Sequence, residues 1–508
     1  MDEKPFIHAK RNGSVVTIRG NDNYLLGHQI TNNAGTIEGI FAKWFWDDKT
    51  LIVENDMYGF YPIYYSNFGQ EICVSPSISR IIKEGAPIEL DENALSVFFE
   101  MGYFIGNDTP FKHIHAIPPN VEFRWDGTLT CHGKPPVISK QQTDLTRDEA
   151  IDKYILLFEN AIRRRQPKTN NFAVPLSGGR DSRHILLELH KQGFKPKVVV
   201  TAQNYPDKHS EDVNIAAMLT KELGYQHKIL RQQESWFRTE LKKNELTNLC
   251  SDEHAWLMVV ADYLKKEVDT IYDGIAGDSL SESNFLTRKR HNMFKSGNLE
   301  AVANDFIERA PASRGFTRRG LKSFLTPDLA KKINKESAIQ HLIKELEKHK
   351  NKPNPVNSFT LWNRGRREIN LVPYCLFSDI PNVYAPYLDH ELYKFLSTLP
   401  IEYLLDGNFH SDTIRRAYPE FAHIPFESKN SVISEIEVNK VYSGFGRELA
   451  RYLMIKRPSR YLRNTFLRSA LLPSLISKRY GAFTRRFTTM ALYLQQLDAM
   501  TRSRKNQV

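Results

Sequence analysis

VPLSGGRDSR, residues 174–183, sets two glycines after a serine and before an Asp-Ser pair. Phe172, Ala173 and Val174 lead in as a short apolar run, and His184, Ile185, Leu186, Leu187 and Leu189 lead out at helical spacing. The stretch reads as strand, tight loop, helix. In an open parallel sheet, ligands bind at such a junction, beyond the carboxyl end of a strand. Leu176 ends the strand, and Ser177, Gly178 and Gly179 let successive N–H groups converge on an anion, helped by the positive end of the following helix. The loop resembles a phosphate cradle but lacks the Lys-Ser/Thr of a P-loop. Asp181 would repel phosphate oxygens directly, so its natural partner is a Mg²⁺ that the phosphates share, while Ser182 can donate to a phosphate oxygen. A lone Ser-Gly-Gly would be an ordinary turn with a helix-capping side chain. Six residues of pattern in this context favour the anion site.

Working outward, strand and helix alternate. TRDEAIDKYILLFENAIRRR (146–165) has helical spacing behind Thr146, an N-cap with Glu149 three residues on. KPKVVVTAQ (195–203) reads as a strand, Asp212–Leu223 contains a helix, DEHAWLMVVADYLKKE (252–267) is a helix and VDTIYDGIAGD (268–278) a strand. The pattern predicts an α/β fold, a doubly wound parallel sheet, over 144–500, with a helical, charge-rich C-terminal part from about 285. Residues 14–135 have another character. GIFAKWFWDDKTLIVEND (39–56) and GFYPIYYSNFGQEICVSPS (59–77) read as hairpins, HIHAIPPNVEFRWDGTLTCHG (113–133) adds two strands, and one helix spans Glu92–Met101. A β-rich, α+β first domain over 1–138 is expected.

The chain has 508 residues, 41% of them hydrophobic and 25% charged. That length predicts two or three cores. No apolar run suits a membrane span, and the opening MDEKPFIHAKRNG has no apolar centre, so neither a span nor a secretory leader is expected. Cys73, Cys131, Cys250 and Cys375 lie far apart, which fits a reducing cytoplasm rather than a disulfide or zinc framework. The net charge is +11, and Arg451–Val508 holds 13 lysines and arginines against one acid, Asp498. This basic tail reads either as a solvated, partly helical face or as a contact for an anionic partner.

S-G-G-x-D-S after a strand resembles the pyrophosphate loop of ATP α-hydrolases, enzymes that cut ATP between its α and β phosphates. The wider chain resembles asparagine synthetases and their relatives, the β-lactam synthetases and lasso-peptide cyclases. VENDMYGFYPIYY (53–65) is similar to the family hairpin R-D-x-x-G-x-x-P-L-Y-Y in Asp56, Gly59, Pro62, Tyr64 and Tyr65. ELDENALSVFFEMGYFIGNDTPFKHIHAIPPN (89–120) resembles the segment closing the family's glutaminase (Ntn-type) domain. DGIAGDSL (273–280) is similar to S-G-E-G-x-D-E in Gly274 and Asp278, and YAPYLDHELYKFLSTLP (384–400) resembles R-V-P-F-L-D-x-x-L-x-x-x-x-x-x-L-P. The resemblance implies that Asp181 and Asp278 hold Mg²⁺ on the pyrophosphate of ATP. It implies an adenine seat at Val199–Ala202, around Val200, or else a plain core strand there. It also puts Lys429 of HIPFESKN (423–430) on the pyrophosphate as a catalytic cation, although an isolated lysine is more often solvated.

Departures from the pattern bear on chemistry. Glutamine-dependent members carry a cysteine after Met1, and this sequence has Asp2, so the resemblance implies a glutaminase-like shell without that activity. The loop glutamate is Ile275, its last acid is Ser279, and its leading serine is Asp273. Asn382 and Tyr384 replace a Glu and an Arg of the acceptor side, so aspartate need not be the substrate. Arg364, Arg366 and Arg367 in NRGRREIN (363–370) suit an acidic substrate or pyrophosphate, or form a charged helix face. The resemblance implies an AMP-forming ligase that adenylates a small-molecule or peptide carboxylate and passes it to ammonia or an amine. Two alternatives stay open: a catalytically silent scaffold, and an RNA-modifying pyrophosphate-loop enzyme.

Overall fold

The computed structural model describes residues 4–31, 35–133, 142–203, 211–231, 235–282, 285–310, 325–427, 435–456, 458–475 and 488–502. Asp2 and Lys429 both lie outside these described residues.

Two antiparallel sheets form the first part of the chain. β1 (Ile7–Asn12), β2 (Val15–Gly20), β3 (Asn23–Thr31), β4 (Ile37–Trp46) and β5 (Leu51–Asn55) are followed by β6 (Tyr64–Phe68) and β7 (Glu71–Ser75). Then come α1 (Ile78–Lys83), α2 (Glu92–Met101), β8 (His115–Ala116), β9 (Val121–Trp125) and β10 (Leu129–Gly133). One sheet runs β2-β1-β7-β6-β8 and the other β10-β9-β5-β4-β3. The hairpin of 39–56 pairs Ala42 with Asn55 and Trp46 with Leu51. Ile7, Ile72 and Val74 meet Trp44, Val53 and Phe123 between the sheets. Period-2 alternation turns Cys73 of β7 to the other face, where it joins the cluster of α1 and α2. Burial takes in every residue of α2 from Ala94 to Met101, as expected of a helix that is apolar nearly all round. Val97 and Met101 reach one core, while Leu95, Phe98 and Phe99 reach another.

The second part opens with α3 (Arg147–Arg163), capped reciprocally by Thr146 and Glu149. There follow β11 (Phe172–Pro175), α4 (Asp181–Lys191), β12 (Val198–Gln203), α5 (Glu211–Glu222), β13 (His227–Arg231), α6 (Trp236–Leu246), α7 (Met258–Glu267), β14 (Thr270–Tyr272), α8 (Gly277–Ser281) and, much later, β15 (Asn382–Tyr384). These strands form one parallel sheet in the order β13-β12-β11-β14-β15. The chain lays strands outward from β11 through β12 to β13, then resumes on the other side with β14. The direction of winding switches between β11 and β14, and the loops after these two strands share that crevice. Val198, Val199 and Val200 are fully buried, as strands covered on both faces require.

The two parts are braced by a helix of wider, π-type turns at Leu361–Ile369. Buried Arg366 donates to the carbonyls of Gly106 (3.0 Å) and Ile117 (2.7 Å), and Arg367 to that of Asp108 (2.5 Å). These arginines are therefore structural, and neither alternative in the sequence reading, anion binding or a solvated face, describes them. In the basic tail, Arg451, Lys456, Arg460 and Arg468 are exposed, while a helix packs its apolar residues inward. Its helix Thr488–Arg502 is buried from Met490 to Asp498, Tyr493 stacks on Phe98 with ring centres 4.8 Å apart, and Asp498 pairs with Arg460 and Arg502. No described helix is long and apolar enough to cross a membrane.

Candidate active site

A cleft of about 350 Å³ opens at the switch between β11 and β14. Leu176, Ser177, Gly179, Asp181, Ser182, Val200, Gly274 and Asp278 line it. Gly178 belongs to the same loop but its N–H turns aside to Asp212. The structure thus brings together residues from β11, β12, β14 and the starts of α4 and α8.

The loop after β11 is held by its own side chains. The Ser177 N–H donates to Ser182 Oγ (3.1 Å), the Gly179 N–H to Ser177 Oγ (3.2 Å) and the Gly178 N–H to Asp212 Oδ1 (2.6 Å). Three consecutive N–H groups thus each meet a different side-chain oxygen, the kind of acceptor a phosphate group also offers. The first turn of α4 has no side-chain cap, so its helix dipole is available to the same crevice. A Cβ on Gly178 would lie 3.0 Å from Asp212 and 3.2 Å from Glu427, too close to be accommodated without movement. A side chain there would press on both neighbours of the loop.

The second loop leaves room for Asp181. A Cβ on Gly274 would fall 2.7 Å from the Asp181 Cβ, and one on Gly277 would fall 2.5 Å from Asp181 Oδ1. Between them Ala276, at the place of the motif's second glycine, adopts φ 76°, a left-handed conformation that costs an alanine about 1–2 kcal/mol. Asp181 Oδ2 accepts the Asp278 N–H at 3.2 Å. Burial first, and the Asp278 carboxylate second, push Asp181 well above the usual carboxylate range. Burial likewise pushes Asp273 up to about 6, Asp181 adding to the effect and the Ile275 N–H opposing it. A cluster of carboxylates so placed favours a counter-cation, and Asp181 and Asp278 on adjoining strand ends suit an oxygen-seeking divalent ion. The residues present fit Mg²⁺ with a pyrophosphate group.

Behind Asp181 stands a buried pair of histidines. His410 Nδ1 lies 3.3 Å from Asp181 Oδ1, and His410 Nε2 lies 3.1 Å from His184 Nδ1. Burial lowers His410 to about 4 and His184 well below its ordinary range, so both rings are neutral. Tyr387 of the 384–400 stretch donates to the Asp181 carbonyl at 3.2 Å. That stretch also carries Asp389, which is fully buried, pairs with Arg164 and Arg165, and caps the next helix, so its role is structural.

The far wall of the cleft includes His254, Trp256, Ile275, Arg364 and Ile369. Ile275 presents a methyl-rich surface where the motif has an acid. Arg364, unlike Arg366 and Arg367, does face the cleft, and it pairs with Glu253 (3.3 Å) and Glu368 (3.2 Å). Glu253, His254 and Glu368 bring ligand atoms within 4.8 Å of one another, but Arg364 already fills the cationic role there. Tyr384 stacks edge-on against His28. The segment before Lys429 is tied to the first loop. Arg183 donates to the carbonyls of Ile424 (3.0 Å) and Pro425 (2.6 Å), and the Glu427 N–H donates to the Gly178 carbonyl (2.9 Å). Sequence reasoning missed Asp212, His410 and His254. Their signals are single polar residues in otherwise ordinary helical stretches.

Residues 25–131 match the glutamine amidotransferase domain family, which gives the class of the β-rich part. The chain is also 24% identical over 268 residues to asparagine synthetase [glutamine-hydrolyzing] 1 of Bacillus subtilis. That alignment covers 50% of this chain and 41% of the relative. Both matches agree with the resemblance to asparagine synthetases carried by the motifs, and the chain spans less than half the length of that relative.

Proposed function

We propose that this protein is an ATP-dependent, AMP-forming ligase that adenylates a carboxylate and transfers it to ammonia or an amine. The observation that carries this reading is the meeting of the Ser-Gly-Gly loop, Asp181 and Asp278 in one cleft at the switch point. The N–H groups of Ser177, Gly178 and Gly179 receive the departing pyrophosphate, and Ser182 donates to it. Asp181 and Asp278 would hold Mg²⁺, and that ion would neutralise charge on the leaving group. Val200 and its neighbours on β12 seat the adenine. Lys429 adds a cation to the pyrophosphate, a role supported by the anchoring of residues 424–427 on the loop. Fixing the reactants and stabilising the developing charge supply most of the rate.

The sandwich, which we take as an Ntn-type fold over residues 1–138, does not release ammonia from glutamine itself on this reading. Cys73 is sealed against α1 and α2, where burial pushes its thiol well up, and Cys131 lies exposed on the edge strand β10. The acceptor wall of Ile275, Ile369 and Trp256 favours a carboxylate with an apolar body over aspartate.

The test is Mg²⁺-ATP turnover against a panel of amino acids and peptide acids with ammonia, with AMP separated from ADP. AMP and pyrophosphate should form with at least one acid and fall about a thousandfold in Asp181→Ala. Absence of ATP binding to the wild-type chain would remove the ligase reading and leave the silent scaffold.

A further inference from the structure

We infer that the acceptor is an organic primary amine, bound as its ammonium cation in a second pocket, walled by Trp236, Glu240, Asp252, Glu253 and Trp256, that meets the cleft at His254. This rests on the ligase reading of the cleft and names the amine side of it. The pocket holds about 360 Å³. His254 and Trp256 line both the pocket and the cleft, so a nitrogen bound at His254 stands at the border of the two. A free ammonium ion is about the size of a water molecule, roughly 30 Å³. The remaining space suits a carbon body, and the indole rings of Trp236 and Trp256 are apolar groups that also attract a cation.

Two independent observations point to a cation. The first is charge. Glu240 pairs with Lys243 (2.8 Å), and Arg364 serves both Glu253 (3.3 Å) and Glu368 (3.2 Å). That leaves Asp252 without a paired cation among the described residues. Burial first, then Glu253 and Glu368, push Asp252 well above the usual carboxylate range. Burial also lifts Glu368 to about 8, with Arg364 opposing and Glu253 adding to the rise. Carboxyls crowded in this way hold protons that an arriving cation replaces. The second observation is His254. Its side chain is 10% exposed, and both ring nitrogens are buried with no hydrogen-bond partner. Glu368 Oε1 stands 3.9 Å from its Nε2, beyond hydrogen-bond reach. Buried polar atoms left unpaired are costly unless a ligand completes them. Burial lowers the His254 ring to about 4, so it is neutral and has a lone pair to accept an ammonium N–H.

The experiment titrates the full chain with n-butylamine hydrochloride, n-butanol and ammonium chloride by calorimetry at constant ionic strength. Each titration is run with and without Mg²⁺ and α,β-methylene-ATP, and melting temperature checks the fold. Butylammonium is expected to bind about tenfold or more tightly than butanol, its neutral counterpart, and than ammonium. Asp252→Asn keeps the shape and removes the charge, and should weaken butylammonium about tenfold to a hundredfold. Trp236→Leu should weaken it about threefold to thirtyfold and leave nucleotide binding unchanged. Nucleotide binding without butylammonium binding overturns the inference and spares the ligase reading. Equal binding of butanol would mean an apolar hollow, and equal binding of ammonium would mean a site for ammonia alone, so either overturns it. So does unchanged affinity in folded Asp252→Asn. Failure of the wild-type chain to bind the nucleotide would instead overturn the ligase reading itself.

Discussion

The loop after β11 and the loop after β14 face each other across one cleft, yet they treat their motifs in opposite ways. Ser177–Ser182 keeps every motif residue, and its backbone donors are already turned onto oxygen atoms. Asp273–Ser279 keeps only Gly274 and Asp278 of its motif, and its two glutamate positions are Ile275 and Ser279. What the second loop offers is space. Gly274 and Gly277 leave a gap that fits the Asp181 side chain, and Ala276 stays in a left-handed conformation so that the turn still closes. The lesson is that the second loop acts as a mould for a carboxylate of the first. Gly274, a motif glycine, and Gly277, at the motif's variable position, give steric room where the side-chain chemistry departs from the motif.

The strongest way to break that comparison is Gly277→Ala. Its added methyl would stand 2.5 Å from Asp181 Oδ1 and 3.0 Å from Tyr387, so Asp181, whose Oδ2 accepts the Asp278 N–H, has to move. Mg²⁺–nucleotide affinity is expected to fall about tenfold to a hundredfold with little change in melting temperature. Wild-type affinity in this variant would show that the second loop is not a mould.

A smaller effect sharpens the account of Ala276. Its φ of 76° suits glycine, tolerates alanine at a cost and rejects β-branched side chains. Ala276→Val should destabilise the chain by about 2 kcal/mol. Ala276→Gly should stay within about 1 kcal/mol of wild type, because relief of strain is offset by lost methyl burial and a freer unfolded chain. Denaturant unfolding of the three proteins checks this. Equal stability of the valine variant would mean that the turn is not held where it is seen.

The smallest effect concerns Asp273, a carboxylate where the motif has a serine. Burial raises it from 3.8 to about 6 in the folded chain. A raised acid stabilises the fold below its unfolded value, and that contribution is lost as pH rises through the folded value. Between about pH 4 and 6, Asp273 should therefore make the wild type less stable as pH rises. The change should be on the order of 1 kcal/mol once screening across the open cleft is allowed for. Asp273→Asn should remove that slope, read as melting temperature against pH relative to wild type. An unchanged slope would mean that Asp273 is solvated rather than part of the mould.

Local signals carried much of this fold. Thr146 and Glu149 announce α3, the Asp47–Asp48 turn announces the hairpin of β4 and β5, and the apolar window 92–101 coincides with α2. The strands that escaped are those without such a signal. β15 is three residues long, and β13, HKILR, is mostly exposed, so neither shows the apolar run of a buried parallel strand. At the site, the glycines and Asp181 were legible because backbone freedom and a fixed spacing are written locally. Asp212 and His410 were not. Asp212 meets Gly178 from 34 residues away, and His410 meets His184 from 226 away, distances over which residue spacing says nothing about contact. Arg366 and Arg367 deceived for a related reason. Charge in a sequence suggests solvent or an anion, whereas these guanidinium groups are spent on carbonyls at a junction between sheets.

The bond between Asp212 and Gly178 has a kinetic consequence. The carboxylate belongs to the same chain, so its effective concentration at the loop is set by geometry and does not fall with dilution. On the ligase reading, an arriving phosphate has to displace an anion that is always at hand. A departing pyrophosphate leaves donors that the same carboxylate reclaims at once. The loop would bind its ligand less tightly than a bare cradle, and in exchange it would reset itself after every turnover.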